Sequence, residues 1–162
     1  MRVVVLADTH IRDNGSTRLP PLAWEAIRRA DLVLHAGDVV GERFLHELQE
    51  LAPVHAVLGN NDTALARILP ASVELELGGV SLAMIHDSGS ARARERRLHA
   101  RFPDARVVIF GHSHIPWHTQ GIDGQVLFNP GSPTQRRRQP HRTFGILHIE
   151  GGDVRPEIVV AD

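Results

Sequence analysis

Cysteine, lysine and tyrosine are all absent from the chain. Without cysteine there is no disulfide, no iron–sulfur cluster and no thiolate zinc site, so any metal must be held by His, Asp, Glu or Asn. Without lysine there is no amine nucleophile or Schiff base, and without tyrosine no phenolic acid or base. All 18 basic residues are arginine, which reads as genome composition rather than function. Long apolar runs are missing as well. None approaches the roughly 20 residues that span a bilayer, and Met1–Leu6 is too short for a signal peptide, with an alanine and then Asp8 following. The net charge of −1 gives no global field that would draw in nucleic acid or a membrane. A cytoplasmic protein is expected, with nucleic acid and membrane disfavoured as partners and a homo-oligomer left open.

What is present is 162 residues, enough for one domain with a sizeable core, expected over residues 1–162. There are also 11 histidines, many for this length. The first half alternates strand, polar tip and helix. Strands are expected at 2–7, 31–36 and 53–58, with helices at 21–30 and 41–51. Pro21 suits a first helical turn; Phe44, Leu45, Leu48 and Leu51 are expected to share a buried helix side. This order argues for a parallel α/β sheet.

After a short helical stretch near 64–69 the pattern changes. Strands 73–77 and 80–85 are joined by Gly78-Gly79, a two-residue hairpin signal. Ser90 is a candidate cap for a helix to 102, with Ala91, Leu98 and Phe102 on one side and a spread of arginines read as solvated. Then comes Val107–Phe110, a short β-branched run suited to burial on both faces, followed by Gly111-His112-Ser113-His114. Further strands are expected at 117–120, 125–128, 143–150 and 154–160, with turns at Asp123-Gly124 and Gly151-Gly152.

Five strand ends carry ligand-type side chains: Asp8-Thr9-His10, Gly37-Asp38, Gly59-Asn60-Asn61-Asp62, His86 and Gly111-His112-Ser113-His114. Ligands of parallel α/β sheets gather outside the carboxyl ends of the strands. A lone His-x-His is weak evidence, and Asp or Asn at a single tip is an ordinary turn residue. Five such tips in sheet order are hard to dismiss. Two carboxylates, one amide and four imidazoles suit two first-row metal ions sharing a bridging aspartate.

The motifs D-x-H, G-D, G-N-x-D, a lone His, G-H-x-H-x-P and N-P-G-S (Asn129 to Ser132) resemble, in combination, those of the calcineurin-like metallophosphoesterases. Within that family the chain is similar to the small bacterial phosphodiesterase branch, itself similar in fold to the retromer subunit. The resemblance runs from Asp8 to Ser132. It implies a four-layer αββα sandwich of two mixed β-sheets. It also implies one metal held by Asp8, His10, Asp38 and His114 and a second by Asp38, Asn60, His86 and His112, with Asp38 bridging. Two divalent ions (Mn, Fe, Zn or Ni, with Mn favoured) and a small phosphoester substrate follow. The implied reaction is hydrolysis of phosphodiesters, with monoesters left open as further substrates, by a metal-bound hydroxide. The alternative is a catalytically weak scaffold of the same fold that binds proteins.

Two positions depart from the family pattern. Where many relatives carry a proton-donating His after the G-N asparagine, and the small bacterial branch often Cys, this chain has Asn61, whose amide donates a hydrogen bond but no proton near neutral pH. Where relatives commonly read Gly-His after the lone metal His, this chain has Asp87-Ser88-Gly89, read as a turn. His35 is expected to pack or hydrogen-bond beneath the site. His118 is a spare imidazole and Arg136 to Arg138 a candidate phosphate-attracting lip, although an exposed strand residue and a solvated run are the simpler readings.

Overall fold

A computed structural model describes all residues, 1–162. The chain runs through β1 (Arg2–Leu6), α1 (Pro21–Arg28), β2 (Leu32–His35), α2 (Glu42–Gln49) and β3 (Val54–Ala56). It continues through β4 (Ser72–Leu77), β5 (Val80–Ile85), α3 (Arg94–Arg101), β6 (Val107–Ile109), β7 (Trp117–Gln120), β8 (Val126–Asn129), β9 (Thr143–Glu150) and β10 (Asp153–Val160).

The strands form two five-stranded mixed sheets. The first has the order β10-β9-β1-β2-β3, with β1, β2 and β3 parallel and β9 antiparallel to β1. The second has the order β4-β5-β6-β8-β7, with β5, β6 and β8 parallel and the outer strands antiparallel. The expected parallel pairing is present in the first sheet, where it runs from β1 to the edge strand β3, and a second parallel set lies at the centre of the other sheet.

Strand alternation decides what each face covers. Val3 and Val5 of β1 point to the second sheet and pack with Leu34, Met84, Val107, Ile109 and Phe128. Val4 and Leu6, one residue out of phase, face α1 and α2 and pack with Ala23, Ile27, Phe44 and Leu48. On the second sheet Val108 and Phe110 turn outward to Leu98 and Phe102 at α3. The layers are therefore helices, sheet, sheet and helix, the αββα sandwich. Each fully buried Val, Leu or Phe contributes about 1.5–3 kcal/mol, so the inter-sheet layer alone fixes how the two sheets dock.

Local expectations fail where tertiary contacts override them. α3 begins at Arg94, not after Ser90: Ala93 adopts φ 55 and blocks an earlier start, and Ser90 Oγ accepts from the Arg92 N–H at 3.2 Å in a local turn instead. Ala91 is exposed rather than on the buried side, and Leu51 lies beyond the end of α2, 40% exposed. The helical stretch near 64–69 is a single 3-10 turn, Thr63–Leu65. The arginines of α3 are not merely solvated: the Arg94 guanidinium lies 4.9 Å from the Trp117 ring centroid and 5.1 Å from that of Phe110.

Candidate metal centre

The five tips named from the sequence converge on one end of the sandwich. Asp8–His10 follow β1, Asp38 follows β2 and Asn60–Asp62 follow β3, all in the first sheet. His86 follows β5, and His112 and His114 follow β6, in the second.

The backbone here is strained. Asp8 (φ 53), His10 (φ 47), Asp38 (φ 58), His112 (φ 67) and His114 (φ 60) all occupy the left-handed region. So does Val40 (φ 78), which is β-branched and least suited to it. Such conformations cost of order 1–3 kcal/mol each and cluster where function requires them. The glycines beside them allow the tips to close in. A Cβ on Gly37 would sit 2.5 Å from His86 Nδ1, and one on Gly111 would sit 2.9 Å from Asp8 Oδ2.

Buried hydrogen bonds hold the strained loops. Asp62, 1% exposed, is their clamp: its Oδ2 accepts the N–H groups of Asp38 (2.9 Å) and Gly59 (2.7 Å), and its Oδ1 that of Val40 (2.7 Å). Ser132 Oγ donates to the Asp8 carbonyl at 2.7 Å and Thr134 Oγ1 to the Thr9 carbonyl at 2.7 Å, tying β1 to the segment after β8. Asn129 Nδ2 donates to the Gly111 carbonyl at 3.0 Å. The sequence motif includes Asp62, Asn129 and Ser132, but without the contacts their side chains read as turn residues. His35 is fully buried with Nε2 3.0 Å from Thr9 Oγ1, beneath the site as expected. Burial pushes its pKa down to about 3, so it is neutral. Asp87 Oδ1 accepts the Gly89 N–H at 2.7 Å, the turn expected of it.

Two clusters of donor atoms result, Asp8 with His10 and His114, and Asp8 with Asp38 and His86, each within 4.8 Å. Asp38 Oδ2 lies between them, 3.5 Å from His10 Nε2 and 3.6 Å from His86 Nε2. Asn60 Oδ1 completes the second side, 2.9 Å from His86 Nε2 and 3.0 Å from His112 Nδ1. All seven expected ligand residues meet here. Asp8 neighbours both clusters, a closer approach to the second than the resemblance alone implies.

The chemistry of this donor set fits cations. His86 Nδ1 lies 2.8 Å from the Ala36 carbonyl, and His114 Nδ1 lies 2.8 Å from the Gln135 carbonyl. A carbonyl only accepts, so each Nδ1 carries a proton and Nε2 is the ring atom turned into the site. There His86 Nε2 lies 2.9 Å from Asn60 Oδ1, and His114 Nε2 lies 3.2 Å from His10 Nε2. Both carboxylate oxygens of Asp8 are buried with no hydrogen-bond partner.

The protonation states agree. Burial, then the neighbouring Asp38 charge, pushes Asp8 up to about 8. Burial holds His10 below its usual value and lowers His114 to about 4, with Arg137 adding to both, so both imidazoles are neutral ligands near pH 7. For Asp38 burial would raise the pKa, but hydrogen bonds from the Asn61 backbone (2.8 Å) and side chain (2.7 Å), with His86 and His10 beside it, hold it below the ordinary value. Asn61 is therefore bound to the central carboxylate. His118 is exposed on β7.

The chain is similar to known proteins over nearly all of its length. The calcineurin-like phosphoesterase superfamily domain matches residues 1–152. A protein of Methanothermobacter thermautotrophicus named "Probable metallophosphoesterase" is 35% identical over 161 residues, which cover 98% of this chain and 92% of that one. The solution structure of a Thermotoga maritima protein superposes with a TM-score of 0.76 at 28% identity, over 98% of each chain. Vps29 of Entamoeba histolytica, crystallised with zinc, superposes with a TM-score of 0.77 over all of both chains; at 23% identity that likeness is one of fold. The chain belongs to the calcineurin-like phosphoesterase superfamily.

Proposed function

We propose that the protein is a dinuclear-metal-dependent phosphodiesterase. The observation that carries this reading is the convergence of donor atoms on Asp38 Oδ2, 3.5 Å from His10 Nε2 and 3.6 Å from His86 Nε2, beside Asp8 oxygens that are buried without a hydrogen-bond partner. Asp8, His10, Asp38 and His114 would hold one ion, and Asp38, Asn60, His86 and His112 the other. Manganese is the favoured metal among Mn, Fe, Zn and Ni, all of which accept mixed N/O donors. Two bound divalent ions supply a water of lowered pKa and neutralise phosphoryl oxygens.

The chain's own groups do the rest. Asp8, carrying a proton near pH 7 when metal-free, must release it to ligate, so loading is favoured by rising pH. Asn61 holds both oxygens of Asp38 and thereby orients the carboxylate that lies between the two clusters. No group at the position of Asn61 can protonate a leaving oxygen, so the favoured substrates are diesters whose leaving group is already stable as an anion.

The test is a panel of alkyl, phenyl and nitrophenyl phosphodiesters with manganese-loaded protein. Turnover that falls steeply as leaving-group pKa rises is expected. A loaded protein that turns over none of them would favour the scaffold alternative instead.

A further inference from the structure

The loop between β1 and α1, residues 11–20, walls two adjoining hollows. One, of about 500 Å³, has Asn60 and Asn61 on one side and Arg12, Asp13 and Asn14 on the other. The same three loop residues bound a larger hollow of about 720 Å³ that continues to Arg18, Trp24 and Phe44. The shared residues make the two hollows neighbours, a groove on each side of the loop, one at the amide tip of the metal centre and the other at an aromatic pair. The size of the larger suits an organic ligand rather than a lone phosphate ion.

The lining is selective in charge and shape. Trp24 is half-buried and set edge-on to the buried Phe44, ring centroids 5.9 Å apart, so the indole is held in place while still bordering the groove. Of the two acids in the larger hollow, Glu47 pairs through Oε1 with the Arg43 Nε at 3.0 Å, and Asp13 Oδ1 accepts the Arg43 backbone N–H at 3.2 Å and keeps its charge, which leaves Arg12 and Arg18 in excess by one. Arg12 and Arg18 are exposed and have no ion pair or side-chain hydrogen bond within the chain. Two unpaired guanidiniums suit phosphate oxygens, which they bind through paired N–H donors. A fixed indole suits a flat heteroaromatic ring.

We infer that the larger groove is a subsite for a nucleoside phosphate, the base at Trp24 and phosphate oxygens at Arg12 and Arg18. Its place in catalysis, as the seat of the substrate's ester group, rests on the phosphodiesterase reading; its binding of the ligand does not.

The experiment therefore has two arms. In the first, Trp117→Phe leaves Trp24 as the one indole of the full chain, and ADP is titrated in chelator so that the metal centre takes no part. A saturable change in Trp24 emission is expected, at an affinity at least about tenfold above that for adenosine or for pyrophosphate, since base and charge act together. Arg12→Ala with Arg18→Ala, both exposed positions, should weaken ADP by about tenfold or more. Unchanged emission up to millimolar ADP, pyrophosphate binding as tightly as ADP, or an unaltered affinity in the double variant would each overturn the inference.

The second arm compares thymidine 5′-(4-nitrophenyl phosphate) with methyl 4-nitrophenyl phosphate on manganese-loaded protein. The leaving group is the same, so a kcat/KM preference for the nucleotidyl ester of about tenfold, erased in the double variant, is the expected result. ADP binding without hydrolysis of either ester would support the groove and sink the phosphodiesterase reading. Equal hydrolysis of both esters without ADP binding would do the reverse.

Discussion

The two sheets contribute to the metal centre in different ways. Every carboxylate and the amide come from the tips of the first sheet, as Asp8, Asp38 and Asn60, together with His10. The second sheet contributes imidazoles alone, as His86, His112 and His114. The first-sheet tips thus concentrate negative charge and pin it with a buried clamp, Asp62. The second-sheet tips bring nitrogen donors, two of which, His86 and His114, turn Nδ1 away toward the carbonyls of Ala36 and Gln135. Neither sheet makes a site alone. It forms because the apolar layer of Val5, Met84, Ile109 and Phe128 docks one sheet against the other.

This difference predicts unequal consequences of substitution. Asp38→Ala should lower turnover by more than the roughly 100-fold that loss of an outer partner costs, since its carboxylate lies between the two clusters. His112→Ala and His114→Ala should each lower turnover strongly but impair chiefly one ion, the second and the first respectively. Circular dichroism of all three should show a retained fold. Collapse of either histidine variant would mean that the second-sheet tips are structural.

The clamps differ in the same sense. Asp62→Ala leaves three backbone N–H groups without their carboxylate, a loss of about 3 kcal/mol, or a fall in Tm of roughly 10 °C at this chain length. Ser132→Ala removes one neutral hydrogen bond to the Asp8 carbonyl and should cost about 1 kcal/mol. Thermal unfolding of the two variants side by side checks the ranking; equal losses would remove the special role of the first-sheet clamp.

Asp8 offers a sharper contrast, because its charge is a burden until a cation arrives. Its folded pKa of about 8 lies above the ordinary 3.8, so the folded state keeps a proton that the unfolded state has lost. Stability from this group is complete below pH 3.8 and is lost as pH rises toward 8. His35, lowered to about 3, and His114, lowered to about 4, act oppositely, but only below their ordinary 6.5. Metal-free protein should therefore lose stability between about pH 6.5 and 8. Asp8→Asn should flatten that slope and raise the Tm of metal-free protein at pH 8 by several degrees, about 2 kcal/mol, while abolishing the stabilisation by added manganese. A variant no more stable than the parent at pH 8 would show that the buried carboxylate is not a burden.

Much of this site is legible in the sequence, because ligand chemistry sits in short motifs at strand ends. Asp8, Asp38 and His86 each follow an apolar run closely enough to be placed at a tip. The αββα layering comes from the family resemblance, whereas the period-2 alternation of Val3 to Leu6 becomes decisive only once both faces are known to be covered. The supporting contacts are not legible. Ser132 reaches back 124 residues to Asp8, and Asp62 takes its role from the N–H groups of Asp38 and Val40, more than 20 residues away. Ser90 misleads for a related reason: its local turn looks like a helix cap until Ala93 is seen in the left-handed region.

The smallest expected effect concerns the tip of β3. Asn61→His restores a proton donor where the amide now binds Asp38. It should raise turnover of alkyl diesters by about tenfold, less than the roughly 10² to 10⁴ of a fully positioned general acid, with little change for nitrophenyl diesters. His118→Ala checks the rival donor and should leave the ratio unaltered. An unchanged alkyl-to-nitrophenyl ratio in Asn61→His would place the missing acid elsewhere.

The central claim is that tips from both sheets assemble two cation sites around Asp38, and metal stoichiometry tests it most directly. Elemental analysis after manganese loading and removal of excess should give close to two ions per chain for the parent protein and close to none for Asp38→Ala. One ion or fewer in the parent, or an unchanged content in Asp38→Ala, would contradict the account.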